Sequence, residues 1–155
     1  MRGMALTTDQ LWRFAQSVFD AQPFTRFLGA ELVDVGPGQV TIGLRMRPEF
    51  KQQHGFAHGG LISYLADNAL TFAGGLALRT DALTAELKIN YAKPATGDYL
   101  VARAEAALST LRQAVCRCSI FSRVDEGAAD PEERLVALAQ GTIVAVSNGG
   151  RTDQR

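Results

Sequence analysis

The chain has 155 residues, which is one ordinary domain, able to bury roughly 70% of its unfolded surface without a disulfide or metal staple. Hydrophobic residues make up 46% and charged residues 21%, a globular composition that argues against disorder. Lys plus Arg and Asp plus Glu each number 16, so no net positive field draws nucleic acid or an anionic membrane surface.

The ends, residues 1–7 and 147–155, read as loose, and the core of a single domain over 1–155 runs from about 23 to 146. The first helix begins at Thr7 or Thr8, either of which can cap it. Leu11, Phe14, Val18 and Phe19 follow at helical spacing until Pro23 ends it. A short turn over 24–28 stops at Gly29. Residues 30–35 and 39–46 then form a hairpin about Gly36-Pro37-Gly38. In the second arm Val40, Ile42, Leu44 and Met46 alternate with polar or small residues. A loop covers 47–57.

Leu61, Ile62, Leu65, Ala69, Phe72 and Leu76 fall on one helical face, which predicts a long helix over 58–78. Strands follow at 83–92, 99–108, 112–124 and 135–146. Turns lie at 93–98 and 109–110, and a loop at 125–133. Mostly consecutive strands with one long helix to cover predict an α+β domain with an antiparallel sheet. The other face or edge of such a sheet calls for a second copy of the chain.

The longest apolar runs fall short of the ~18–20 residues of a membrane span. No apolar leader segment opens the chain. Cys116 and Cys118, at i and i+2 on one strand, are poor disulfide partners and read as reduced thiols of a cytoplasmic protein.

The informative stretch runs from Gln52 to Ala69. His58, Gly59 and Gly60 sit where a loop becomes a helix. Helix N-termini expose unpaired N–H groups at the positive end of the dipole, and glycines let another molecule approach the backbone. Such a place can hold an oxyanion. Equally, two glycines can serve only tight packing of the helix start. Asp67 lies mid-helix, opposite Leu61, Leu65, Ala69 and Phe72 and beside Ser63 and Thr71. In a lone subunit that face is the solvated side. Against a partner subunit its carboxylate becomes a candidate base or nucleophile.

This stretch resembles the core motif of the hotdog-fold acyl-CoA thioesterases, of the phenylacetate-degradation type. That motif reads as a polar amide residue, a spacer with Gly, His-Gly-Gly, then Leu-x-Asp at the same spacing. The strand through Thr84-Ala85-Glu86-Leu87-Lys88-Ile89-Asn90-Tyr91-Ala92-Lys93-Pro94 resembles the family's strand after the helix, with its Tyr-x-x-Pro end. The resemblance covers roughly residues 23–146.

It implies a curved antiparallel sheet wrapped around the long helix, and hydrolysis of an acyl- or aryl-acyl-coenzyme A. It puts the catalytic acid on Asp67, the carbonyl-polarising N–H on Gly59, and the motif histidine on His58. The hydroxyl that holds the attacking water falls on Thr84. Gln52 stands where many members have Asn, with the same amide on a longer stem. Gly60, His54, Phe56 and Tyr64 are candidates for substrate contact. The implied site lies across a dimer interface, in a homodimer or in a homotetramer that is a dimer of dimers. No cofactor is implied beyond the coenzyme A of the substrate. A non-catalytic acyl-CoA or acyl-carrier binding module on the same fold is the alternative. Retention of Asp67 beside His58-Gly59-Gly60 favours the enzyme.

Other signals lead elsewhere. His54 and His58 are spaced i, i+4, but Gly55 breaks the helix a zinc pair needs, and no third ligand follows. Gly36-Pro37-Gly38 joins two strands and opens no helix, so it is a turn and not a phosphate loop. Gly74-Gly75 inside the helix serves close packing against the sheet or leaves room for an acyl chain. Ser63 lacks the G-x-S-x-G setting of a serine hydrolase.

Overall fold

The computed structural model describes residues 6–125, 127, 129 and 132–146. Helix α1 (Thr8–Ala21) is followed by α2 (Pro23–Leu28), then by β1 (Ala30–Gly36) and β2 (Gln39–Arg45). Next come the long helix α3 (Gly59–Leu78) and strands β3 (Ala82–Tyr91), β4 (Tyr99–Ser109), β5 (Gln113–Arg123) and β6 (Glu133–Ala145). A 3-10 turn, Pro48–Phe50, interrupts the loop before α3.

Thr7 caps α1. Its hydroxyl accepts the Gln10 N–H while the Gln10 side chain accepts the Thr7 N–H, a reciprocal capping box. Such a cap is worth about 1 kcal/mol. Thr7 is therefore fixed rather than part of a loose end, while residues 1–5 and 147–155 lie outside the described residues. Pro23 does more than end α1: it opens α2, where its missing N–H costs nothing. The expected turn over 24–28 is a helix, closed by Gly29 at φ 74°.

The strands form one antiparallel sheet in the order β1-β2-β4-β5-β6-β3. The consecutive order expected from the chain holds apart from β3, which crosses to the far edge and pairs with β6. Helix α3 packs against β2, β3, β4, β5 and β6. Its buried arc is wider than one stripe, because the sheet curves around it. Ala66, Leu70 and Ala73 are buried together with Leu61, Leu65, Ala69 and Phe72. They meet Ile42, Leu44, Leu100, Ile120 and Ile143 from the strands.

A Cβ on Gly74 would stand 2.5 Å from that of Ile143 in β6, so this glycine serves close helix–sheet packing. Helix α3 is long and apolar enough to cross a membrane by length and composition alone, and here it is the core helix of the sheet.

The two edges of the sheet differ. Helix α1 packs on β1. Strand β3 pairs on one side only, and Leu83 and Tyr91 on it are more than half exposed. A long open edge with apolar side chains is a template for pairing.

Candidate active site

The loop before α3 is tightly tied. Gln52 N–H donates to Phe56 O at 2.9 Å, Gly55 N–H donates to Gln52 O at 2.9 Å, and Lys51 bridges Ala57. Gly55 takes φ 85°, the left-handed conformation that suits glycine at this tight turn. The side-chain oxygen of Gln52 accepts the His54 N–H. The amide expected near the carbonyl therefore holds the loop with its oxygen, and its NH₂ remains as a donor. His54 is exposed and Phe56 half-buried.

That loop delivers His58 as the N-cap of α3, with its N–H donating to Phe50 O at 2.8 Å. The His58 Nδ1 accepts the Gly60 N–H at 2.9 Å. One of the first-turn donors of the helix is thereby consumed, so Gly60 offers no free N–H. Gly59 N–H donates to no atom of the described residues. It points from the positive end of a 20-residue helix, which is where an oxyanion is held best.

Gly59, Ser63, Asp67 and Thr71 follow each other at i, i+4, so they form one ridge along α3. Strand β3 covers that ridge. Thr84 donates its hydroxyl hydrogen to Asp67 Oδ1 at 2.6 Å, a short charge-assisted bond. Thr71 Oγ1 lies 2.7 Å from Thr84 Oγ1 and 2.8 Å from the Asp67 carbonyl, with one hydrogen to share between them. Asp67 Oδ2 accepts no hydrogen bond among the described residues. At the other end of the ridge Tyr91 Oη donates to Gly59 O at 3.1 Å and sits 2.7 Å from Ser63 Oγ.

Asp67 is half-buried under β3. That replaces the fully solvated face that the helical wheel predicts for a lone chain. The expected Asp67 and Thr84 are thus brought into direct contact, as are His58 and Gly60. Thr71 and Tyr91 join the site without having been singled out. The spacing of four from Asp67 is the signal that marks Thr71.

Tyr64 turns another way. Its hydroxyl lies 2.7 Å from Thr25 Oγ1 and accepts from Asn68 Nδ2 at 3.2 Å, and Phe24 meets its ring edge-on at 5.2 Å. Burial raises its pKa above the usual tyrosine value, with the hydrogen bonds from Thr25 and Asn68 opposing. It joins α3 to α2.

Within one chain the Gly59 N–H and the Asp67 carboxylate cannot both meet one small group. Gly59 and Asp67 are eight residues apart, about 12 Å along the helix. Attack and oxyanion stabilisation both need contacts of about 3–3.5 Å on the same group.

Comparison with known proteins fits this geometry. The family described as "Thioesterase superfamily" matches residues 54–129, which hold α3 with its cap, β3, β4 and β5. A protein of Saccharolobus solfataricus, named provisionally as an esterase, is 29% identical over 91 residues. That match covers 56% of this chain and 58% of the relative, so the chain spans little more than half the relative's length.

Among solved structures, a thioesterase family protein from Silicibacter pomeroyi is 28% identical with a TM-score of 0.78. The match covers 86% of this chain and 96% of that one. The phenylacetic acid degradation protein PaaI from Thermus thermophilus, solved as an Asn-to-Asp mutant, is 28% identical with a TM-score of 0.69, over 81% and 100% of the two chains. The PaaI protein of the E. coli phenylacetic acid degradation operon shares the fold, with a TM-score of 0.78 at 20% identity over 90% and 95%. The fold is the hotdog fold of thioesterases, as the resemblance implied.

Proposed function

We propose that this chain, with its hotdog fold and its thioesterase-superfamily match over residues 54–129, hydrolyses the thioester of an acyl- or aryl-acyl-coenzyme A. The observation that carries the reading is the carboxylate of Asp67. It is held by Thr84 on one oxygen and unengaged on the other, on the same ridge as the free Gly59 N–H.

In this mechanism the thioester oxygen rests on the Gly59 N–H at the start of α3. Water, held by the Thr84 hydroxyl, gives a proton to the Asp67 carboxylate as its oxygen bonds the carbonyl carbon. The negative charge that develops on the carbonyl oxygen is met by the helix dipole. A fixed donor of this kind is worth about 10²–10³ in rate. The C–S bond then breaks, and coenzyme A departs as a thiolate that takes up the proton. Water and thioester become acid and thiol. The carboxylate acting directly as nucleophile is the variant of this scheme with the same residues.

The separation of about 12 Å along one helix leads us to a homodimer. Two chains paired through the open edge of β3 run their α3 helices in opposite directions. Gly59 of one copy can then face Asp67 of the other. The two buried, free cysteines support a reducing, cytoplasmic setting. The aryl substrates rest on the name of the 28% identical PaaI protein of Thermus thermophilus, and Phe56 is the apolar ring available to them.

The test is thiol release from a panel of acyl-coenzyme A thioesters by wild type and Asp67→Asn. The expected result is turnover by wild type and a loss of about 10²–10⁴ in the folded variant. Tight acyl-coenzyme A binding by wild type with no turnover of any thioester would replace hydrolysis by a binding role.

A further inference from the structure

We infer that Tyr91 is a positioning residue for the Gly59 donor, resting on Gly59 as the group that receives the thioester oxygen. Gly59 and Gly60 are adjacent glycines, and glycine has more backbone freedom to lose than any other residue. An oxyanion donor must be fixed before the reaction, because a donor that reorganises loses much of its effect. The rigidity of this glycine pair has to come from outside.

The structure supplies it from two sides. The peptide joining Gly59 to Gly60 is held at its N–H by His58 Nδ1, at 2.9 Å. The same peptide is held at its carbonyl by Tyr91 Oη, at 3.1 Å. Fixing that plane fixes the turn in which the neighbouring Gly59 N–H sits. The Tyr91 ring also closes one side of Gly59, with carbon atoms 3.6 Å from where a Cβ would stand.

Ser63 completes the device. Its hydroxyl lies 2.7 Å from Tyr91 Oη. When Ser63 donates, the tyrosine hydrogen is directed to the Gly59 carbonyl. Tyr91 remains about half exposed, so burial is not what holds the ring. Two hydrogen bonds on one half-exposed hydroxyl are the sign of a local role. His58 comes from the loop side and Tyr91 from the last residue of β3. The donor is thus clamped between the cap of the helix and the edge strand.

The experiment uses the intact protein and has two arms. In the first, amide hydrogen exchange at Gly59 and Gly60 is followed by NMR in wild type, Tyr91→Phe and Ser63→Ala, without substrate. Tyr91→Phe should speed exchange about tenfold at Gly60, whose N–H is paired with His58, and Ser63→Ala should do so to a smaller degree, while the unpaired Gly59 N–H exchanges fast in every variant and serves as the reference. Gly60 exchange unchanged in a folded Tyr91→Phe overturns the inference. Tyr91→Phe retains the ring and its packing, and an unchanged melting temperature confirms that fold is not the variable.

In the second arm, the same variants hydrolyse the best thioester. The expected result is a fall of about tenfold in kcat with KM within twofold, since the donor acts on the transition state. A change confined to KM overturns the positioning role and makes Tyr91 a binding contact. If no thioester is turned over by wild type, the hydrolase reading fails, while the exchange arm still decides the role of Tyr91.

Discussion

Thr84 gives its hydroxyl hydrogen to Asp67 across the seam between the edge strand and the core helix, at 2.6 Å. The bond joins the last strand of the sheet order to the middle of α3. It also engages one carboxylate oxygen and leaves the other without a partner among the described residues. Thr84→Val should therefore reduce kcat by about 10–10², the worth of a hydrogen bond to a charged group. Thr84→Ser should restore most of it. Thr71→Val, one contact further out, should cost less than Thr84→Val. Steady-state kinetics on the best thioester, with circular dichroism to confirm folding, checks the order.

Gly74 and Gly75 are neighbours with different duties. A Cβ on Gly74 meets Ile143 at 2.5 Å, whereas one on Gly75 finds its nearest atoms at an ordinary 3.5 Å. Gly74→Ala should destabilise by about 1–3 kcal/mol through overpacking. Gly75→Ala should be neutral or stabilising by up to about 1 kcal/mol, since alanine is the better helix former. For a chain of this size each kcal/mol moves the melting temperature by about 2–4 °C. Calorimetry on the two variants should show shifts of opposite sign or clearly different size.

The outer face of the sheet carries an acid-sensitive ion cluster. Arg103 holds Glu133 with two hydrogen bonds, at 2.6 and 2.9 Å, and Arg123 adds a third at 3.3 Å. Arg103 lowers the Glu133 pKa first of all, by hydrogen bonding, with Arg123 assisting. A carboxylate with a depressed folded pKa contributes stability above its ordinary value of about 4.3, and loses it as the pH falls below that. Glu133→Gln should be less stable than wild type at neutral pH and should lose less on acidification. Urea midpoints measured from pH 7 down to 3 should converge at the acid end.

Cys116 and Cys118 face the core from β5. Burial pushes their thiols up, to about 11 and about 12. The reactive form is the thiolate, so neither should react with a thiol reagent at pH 8 in the folded protein. Both should react after urea unfolding. A colorimetric thiol count before and after denaturant tests this, and a low native count clears the thiol-release assay of background.

The parts legible in the sequence were those with a strong period or a local cap. Leu61, Leu65, Ala69 and Phe72 mark α3, and His58 marks its start. Strand ends fell within two residues, since Pro94, Gly97 and the Ser109-Thr110 turn punctuate them. Helix α2 was not legible, because six residues are too few to show a period and Pro23 reads as a stop. The place of β3 was also hidden: pairing with β6 instead of β4 is a long-range choice that no local pattern records. The cover over Asp67 depends on that choice, and so do the contacts of Thr71 and Tyr91. Asp67 and Thr84 were named by resemblance. The hydrogen bond between them is a product of the fold.

The register shift between Thr84 and Glu86 changes how spacing along β3 should be counted. Side chains on a regular strand alternate, so two positions seven apart face opposite ways. Thr84 and Tyr91 are seven apart, yet both meet α3. Their partners on β6 are Ile143 and Ala137, only six steps apart, because Ala85 stands outside the pairing. A regular strand would deliver the same two hydroxyls with an interval of six, and a bulged one with seven. In comparing chains of this fold, the interval between these two positions is meaningful only in ladder steps, and a one-residue gap at Ala85 leaves the chemistry aligned.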